Sequence, residues 1–464
     1  MKVTLILPYV DDSPKISTTL YPPMGLLYLA ACVQDIVEEV TVLDANVLEM
    51  KLEQVLDYNK VKESDVVGIS INMMTEKIAV EMAIEIKKKS PNITLIGGGP
   101  SATTNPKKYL NYFDVVIAGE GEIPFRRVIE QLNAGNTITD KCSGVIIDEC
   151  RISQAERPEL DNLPFPAYQC LQPSLKYYTK KARIVKPLMA PLLTSRGCPF
   201  TCAFCDKSVH GNNFRPRSVE SVISEIRWLY EEYGVRQIDI LDDNFTFDIQ
   251  RAEDILNGII SIGKIAINCQ NGLRADRVTE DLVRKMKMAG VFRVGIGIES
   301  GNEKTIRSIN KHLDLETVKR CIALFRKYHI TVHGFFIIGL PSETEEDILN
   351  TINFAVKLNP HFANFSRYMP IVGTPLYEQL EEKNQLTNSG ENSFFSLISP
   401  IKYDIISTDK VSELYKKAWV KFYLRPYKLL DILISVKSYK EFLWILRLGF
   451  SVLKNLIFTQ NTRR

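Results

Sequence analysis

The stretch Ser195-Arg196-Gly197-Cys198-Pro199-Phe200-Thr201-Cys202-Ala203-Phe204-Cys205 decides how this chain is read. Its three cysteines stand at C-x3-C-x2-C spacing, just after the apolar run 189–193 and just before a helix-like segment that starts at Ser218. That spacing lets three thiolates converge on one metal centre from a single loop. Soft thiolate ligands suit iron–sulfur clusters or zinc. Three cysteines leave one iron of a [4Fe–4S] cluster open. A structural zinc would need a fourth protein ligand, for which His210 is the only nearby candidate.

Cys198, Cys202 and Cys205, with the aromatic Phe204 before the last cysteine, resemble the signature of the radical S-adenosylmethionine enzymes. The resemblance implies a [4Fe–4S] cluster on the three cysteines, with S-adenosylmethionine on the open iron. It also implies cleavage of that sulfonium to a 5′-deoxyadenosyl radical, fed by an electron donor such as flavodoxin or ferredoxin.

The pattern downstream supports it. Strands are predicted at 190–194, 237–241, 266–270, 293–298, 331–338 and 363–369, and helices at 218–233, 249–262, 280–289, 315–328 and 345–357. Six βα units suggest a partial (β/α)6 barrel of the TIM type, with its chemistry at the C-terminal mouth. Candidate cofactor residues fall at strand ends. Asp242 and Asp243 can receive the ammonium of S-adenosylmethionine through charge-assisted hydrogen bonds, although Asp243 or Asn244 could equally cap a helix. Arg274 suits a carboxylate, or a plain salt bridge to Asp276. Glu299, followed by Ser300, is an acid among glycines in an apolar strand and needs a partner, which ribose hydroxyls would supply. Gly339 allows close approach to adenine, while Ser342 or Thr344 can cap the next helix.

Residues 1–150 read as a second α/β unit. Short strands at 2–7, 40–43, 66–70, 94–96 and 115–118 alternate with helices at 24–34, 76–89 and 124–132, which points to a doubly wound, Rossmann-like sheet. Its turns carry Ser70, the run Gly97-Gly98-Gly99, and Gly119-Glu120-Gly121-Glu122. Such glycines let backbone approach a bulky ligand, or merely make tight turns. With Tyr21-Pro22-Pro23-Met24-Gly25, these strings are similar to the cobalamin-binding domain of many radical S-adenosylmethionine enzymes. All five histidines lie C-terminal to this unit, and the turn that often supplies a histidine to cobalt reads Asp44-Ala45-Asn46-Val47. The resemblance therefore implies cobalamin without a histidine ligand from this domain, or a domain that has lost the cofactor.

The expected layout is a cobalamin-binding domain over 1–150, a linker over 151–188, the radical barrel over 189–380 and a mostly helical C-terminal region over 381–464. Composition is that of a soluble globular protein, 45% hydrophobic and 24% charged, and the net charge of +3 gives no reason to invoke nucleic acid. Nine scattered cysteines make no disulfide framework, no secretory signal precedes the first strand, and no run is long enough to span a membrane uninterrupted. The expected setting is a reducing cytoplasm. The tail differs: residues 411–464 hold eleven Lys or Arg against three acids, a net of +8, and the apolar stretch 441–458 is broken by Arg447 and Lys454. That pattern fits a basic amphipathic helix in peripheral contact with a membrane, or helices covering the barrel's open edge. A Tyr-Leu-Arg-Pro string at 423–426 also occurs in relatives resembling the anaerobic cyclase of chlorophyll synthesis and the hopanoid methylases, which favours a lipid-like small molecule as substrate. The expected reaction is cobalamin-dependent methylation of an unactivated carbon. Its rivals are oxidative ring closure or rearrangement, a cobalamin-binding sensor with structural zinc, and a thiolating enzyme of the same superfamily.

Overall fold

The computed structural model describes residues 1–10, 20–178, 185–387 and 400–436, together with 438, 439, 441–443, 445 and 446. The first sheet is built from β1 (Lys2–Leu7), β2 (Glu39–Asp44), β3 (Val66–Ser70), β4 (Thr94–Gly98), β5 (Val115–Ile117), β6 (Val145–Ile146) and β7 (Leu171–Gln172). Its order is β6-β5-β4-β3-β1-β2-β7, all parallel except the closing strand β6. The side on which successive strands are added switches between β1 and β3, which opens a crevice beyond their carboxyl ends. The segment read as a linker supplies β7 as an edge strand of this sheet. It also sends the Tyr178 hydroxyl to Asp44 at the end of β2.

The second sheet runs β8 (Met189–Leu192), β11 (Gln237–Ile240), β12 (Ala266–Leu273), β13 (Val291–Glu299), β14 (Thr331–Ile338) and β15 (Phe362–Arg367), every neighbour pair parallel. It is the expected six-stranded open barrel. A two-stranded ladder of β9 (Ser195–Arg196) and β10 (Arg215–Pro216) brackets the cysteine loop. Barrel helices begin where the sequence offers a capping side chain. Ser218, Asp248, Thr279, Asp314 and Thr344 each accept a hydrogen bond from a backbone N–H of the first turn.

One apolar core continues from the first sheet through Tyr168 and Leu171 into the barrel's outer layer, so the two units share buried surface. A polar link crosses as well. The Tyr21 hydroxyl, ahead of helix Met24–Val33, reaches Asp239 (2.7 Å) and Gln270 (2.8 Å) on the barrel's inner face. At the far end, helix Thr408–Tyr423 buries Leu414, Ala418 and Phe422, with Phe422 edge-on to Phe365 of β15. This part of the tail covers the barrel edge. The stretch 441–458 lies mostly outside the described residues. The 423–426 string knits the tail to the barrel: the Tyr423 hydroxyl donates to the Ala363 carbonyl (2.7 Å) and accepts from its N–H, and Arg425 donates to the Val356 carbonyl (2.9 Å).

Burial pushes the Asp44 carboxyl up to about 6, against the opposing hydrogen bonds from Tyr178 and from the Val47 and Asn46 backbone. The folded state thus holds this proton more tightly than the unfolded chain does. Stability falls as pH rises from about 4 to about 6 and is flat above, a loss of about 3 kcal/mol at 1.36 kcal/mol per pKa unit. Asp44→Asn removes that fall. Thermal unfolding should show the variant's midpoint raised relative to wild type at pH 8 and nearly equal at pH 4; equal differences at both would remove Asp44 from this role.

Candidate active site

The cysteine loop is held from three sides. Gly197, at φ +78, donates its N–H to the Asp243 carboxylate (3.0 Å), and a Cβ there would meet the Asn213 carbonyl oxygen at 2.3 Å. The Ala203 N–H donates to the Ile309 carbonyl (2.9 Å), and its own carbonyl accepts from Leu376 N–H (3.0 Å). Asn310 donates to Thr201 through both its backbone carbonyl (2.9 Å) and its hydroxyl (2.6 Å). The backbone that presents Cys198, Cys202 and Cys205 is therefore fixed by the barrel rather than by the thiols.

Cys198 and Cys205 face a cleft of about 580 Å³ whose opposite wall is the crevice of the first sheet. Ser70, Gly98, Gly99, Gly119 and Glu120 line it, as do Gly25 and the apolar side chains of Leu5, Leu7 and Met24. Gly25 has no atom within 4 Å of where a Cβ would stand, and Gly98 none nearer than 3.8 Å, so both present bare backbone to open space. Gly97 differs: its missing side chain makes room for Ile71 and Phe113 at 3.0 Å, a packing role. Gly99 (φ +116) and Gly119 (φ +99) are demanded by their turns as well as by the cleft. Phe204 packs with the small core under the loop that includes Ala203, Ile309 and Leu340.

Three other expected cofactor contacts are occupied within the protein. Asp242 is fully buried. Its two oxygens accept from the Thr194 N–H (2.6 Å), the Thr194 hydroxyl (2.5 Å) and the Ser195 hydroxyl (2.5 Å), so it braces the loop entrance, and Asp243 is the carboxylate that faces the cleft. Arg274 forms the salt bridge to Asp276 (3.0 Å), donates to the Lys311 and His312 carbonyls, and lies 3.7 Å over the Phe200 ring. Glu299 pairs with Lys311 (2.8 Å). The pair fits because Gly297 has no side chain; a Cβ there would stand 2.7 Å from the carboxylate. Glu299 also adopts φ +66, a left-handed conformation that a glutamate enters at a cost and that marks functional strand ends. Burial works against the Lys311 charge, but Glu299 and then Cys202 outweigh it and raise its pKa.

Ser300 is buried against the Thr351 hydroxyl (2.8 Å). Gly339 (φ +81) donates to Glu343 (2.9 Å) and accepts from the Tyr403 hydroxyl (2.8 Å). Thr344, not Ser342, caps the following helix. Glu343, which accepts from the Gly339 and Leu340 N–H groups, has no counterpart among the residues the sequence singles out. Burial pushes its carboxyl up to about 8, and its Oε1 has no hydrogen-bond partner at the barrel mouth.

The residue that joins the two walls is Arg196. It stands one residue ahead of Gly197, and its guanidinium is buried and donates to Glu120 (2.7 Å) and Glu122 (2.6 Å) of the turn after β5. Glu120 also takes Arg215 and the Nδ1 of His210 (3.0 Å). Glu120 therefore lies at the cleft but is spent on holding it together. Arg196 pairs with Glu120 and Glu122 across 74 to 76 residues, a separation that leaves no local signal in the sequence, and Lys311 meets Glu299 across 12.

The donor set fits a cluster with one open iron: three thiols on one braced loop, and His210, the fourth ligand zinc would need, turned to Glu120. Among the described residues no three His, Cys, Asp or Glu groups already stand as a metal cage; Cys198, Cys202 and Cys205 would supply the thiolates to a cluster from this one loop.

Comparison with known proteins agrees with this geometry. The Radical SAM superfamily profile matches residues 192–355, and the B12 binding domain profile matches 17–129. The "Uncharacterized methyltransferase PH0819" of Pyrococcus horikoshii is 31% identical over 435 residues, covering 92% of this chain and 93% of that protein. This chain is a cobalamin-binding radical S-adenosylmethionine enzyme. The cofactors of this enzyme are a [4Fe–4S] cluster, S-adenosylmethionine and cobalamin. The cytidylyl-2-hydroxyethylphosphonate methyltransferase of Streptomyces wedmorensis is 29% identical, with 77% of each chain covered. The fold matches that of the cobalamin-dependent S-adenosylmethionine radical enzyme OxsB at a TM-score of 0.74 and 18% identity, over 96% of this chain and 72% of that one.

In this radical enzyme, removing one member of the Arg196 cluster strands its buried partners. Glu120→Ala should destabilise the fold by about 3–5 kcal/mol and lower the cobalamin retained after gel filtration. Unchanged thermal stability and unchanged retention would show that the two walls are held by other contacts.

Proposed function

We propose that this enzyme methylates an unactivated carbon of a small, lipid-like substrate. The observation that supports the reading is the single cleft walled on one side by Cys198 and Cys205 and on the other by Gly25, Gly98 and Gly99. When bound, the cluster with S-adenosylmethionine supplies a 5′-deoxyadenosyl radical and cobalamin supplies the methyl group. The chain's own part is placement and exclusion. Cys198, Cys202 and Cys205 hold the cluster, with the loop backbone fixed by Asp243, Asn310 and Ile309. Asp243 presents a carboxylate at the cleft rim suited to an ammonium, while Glu299, Arg274 and Gly339 shape the barrel mouth where the nucleoside part belongs. Gly25, Gly98 and Gly99 offer bare backbone to the broad face of a corrin. Leu5, Leu7, Met24 and Leu193 keep water from the space between, where a carbon radical must survive. A flavodoxin- or ferredoxin-like protein delivers the electron, and the enzyme works in the cytoplasm. The lipid-like character of the substrate rests on the 423–426 string and the apolar tail.

The test feeds S-adenosylmethionine with a deuterated methyl group to cells with and without the enzyme and follows extracted products by mass spectrometry. A new species carrying the label is expected; a product oxidised but unlabelled would assign ring closure or rearrangement instead. In vitro, Cys202→Ala should abolish both deoxyadenosine and labelled product. Deoxyadenosine release that persists in that variant would remove Cys202 from the cluster.

A further inference from the structure

Helix Pro426–Ser435 is amphipathic in the reverse of the usual sense. Its inward side is mostly polar, with Ser435 and the single apolar Ile432 beside Lys428: Lys428 is 0% exposed, donating to the Pro360 carbonyl and to Asp431 (2.7 Å), which Arg326 also holds (2.9 Å). Its outward side is apolar. Ile434 is 80% exposed and Leu430 61%, and Tyr427, Leu429 and Leu433 stand out beside them. A globular protein in water normally turns such a helix the other way round. Here the fully buried Lys428 and the part-buried Asp431–Arg326 pair fix the orientation, so the apolar face is presented by construction. It lies at the N-terminal end of β15, away from the cofactor cleft.

We propose that this face is a docking surface for an anionic lipid bilayer. Charge selects the occupant. Residues 411–464 carry a net +8 in a chain whose total is +3, so the preceding 410 residues carry −5. From Val436 onward, six Lys or Arg face the single acid Glu441, interleaved with large apolar residues. An apolar helix face joined to a basic segment binds anionic lipid by two additive contributions, insertion and attraction to the surface potential. A second copy of this chain would set +8 against +8. The helix lies on the bilayer and does not cross it, because no helix among the described residues is long and apolar enough to span. The surface is separate from the catalytic cleft, so docking holds with or without the proposed methyl transfer.

Full-length, cluster-reconstituted protein is floated with vesicles of phosphatidylcholine and phosphatidylglycerol in equal parts, and with phosphatidylcholine alone. Partition onto the anionic vesicles should exceed that onto neutral ones by at least about tenfold and weaken with added salt. The double variant Leu430→Glu/Ile434→Glu changes two exposed side chains and should keep the circular dichroism spectrum and deoxyadenosine formation of wild type. It should lose anionic-vesicle binding by at least about tenfold. Wild type that fails to float, or a variant that floats equally well, overturns the proposal. So does a wild-type dimer in light scattering that the variant breaks into monomers without any vesicle binding, which would assign the face to a second copy.

Discussion

A buried arginine between two buried glutamates sets the geometry on which everything else rests. Arg196 belongs to the barrel chain and is one residue away from the loop that carries the cysteines, while Glu120 and Glu122 belong to the turn after β5 of the other unit. Ions taken out of water need partners of good geometry, or their desolvation is not offset. Arg196 can meet that requirement only when the two units stand at one separation. The Tyr28 ring, 5.2 Å from the guanidinium, and the Tyr21 hydroxyl on Asp239 constrain the same approach from the first unit. The width of the cleft follows from these contacts.

Much of this architecture was legible from residue patterns. Periodicity placed β1, β3, β14 and helices such as Glu76–Lys89 and Ile249–Ile262 at their observed bounds, and most of the other elements read from it within about two residues, while helices such as Glu303–Ser308 and Thr408–Tyr423 were not delimited. The elements so placed are strongly patterned, and Ile249–Ile262 is also capped by the adjacent Asp248, so little beyond the sequence neighbourhood is needed to specify them. Short edge elements were another matter. Leu171–Gln172 has no periodicity, and only the exposed edge of β2 makes it a strand.

At the site, residue type was readable but partner was not. An aspartate after a strand looks the same whether it faces a ligand or braces its own loop. Asp242 does the second, because Thr194 and Ser195 offer three donors from the neighbouring strand's end. Arg274 and Glu299 likewise have protein partners, Asp276 and Lys311, which quiet the charges before any ligand arrives. The tail shows the same limit in another form. Its amphipathic pattern was visible, yet which side of Pro426–Ser435 would be buried depended on Arg326 and the Pro360 carbonyl, far away in sequence.

Gly339 carries a consequence for how this protein can change over time. A Cβ at that position would stand 2.6 Å from Val411 and 2.8 Å from the Tyr403 hydroxyl, both of the C-terminal region. The turn at the mouth of the barrel and the segment that backs it are thus fitted to each other at a single atom's width. A bulkier residue at 339 would have to displace both side chains and also hold a φ of +81 that favours glycine. These three positions form one unit of variation, and an appendage that looks separable from the catalytic barrel is in fact written into its rim.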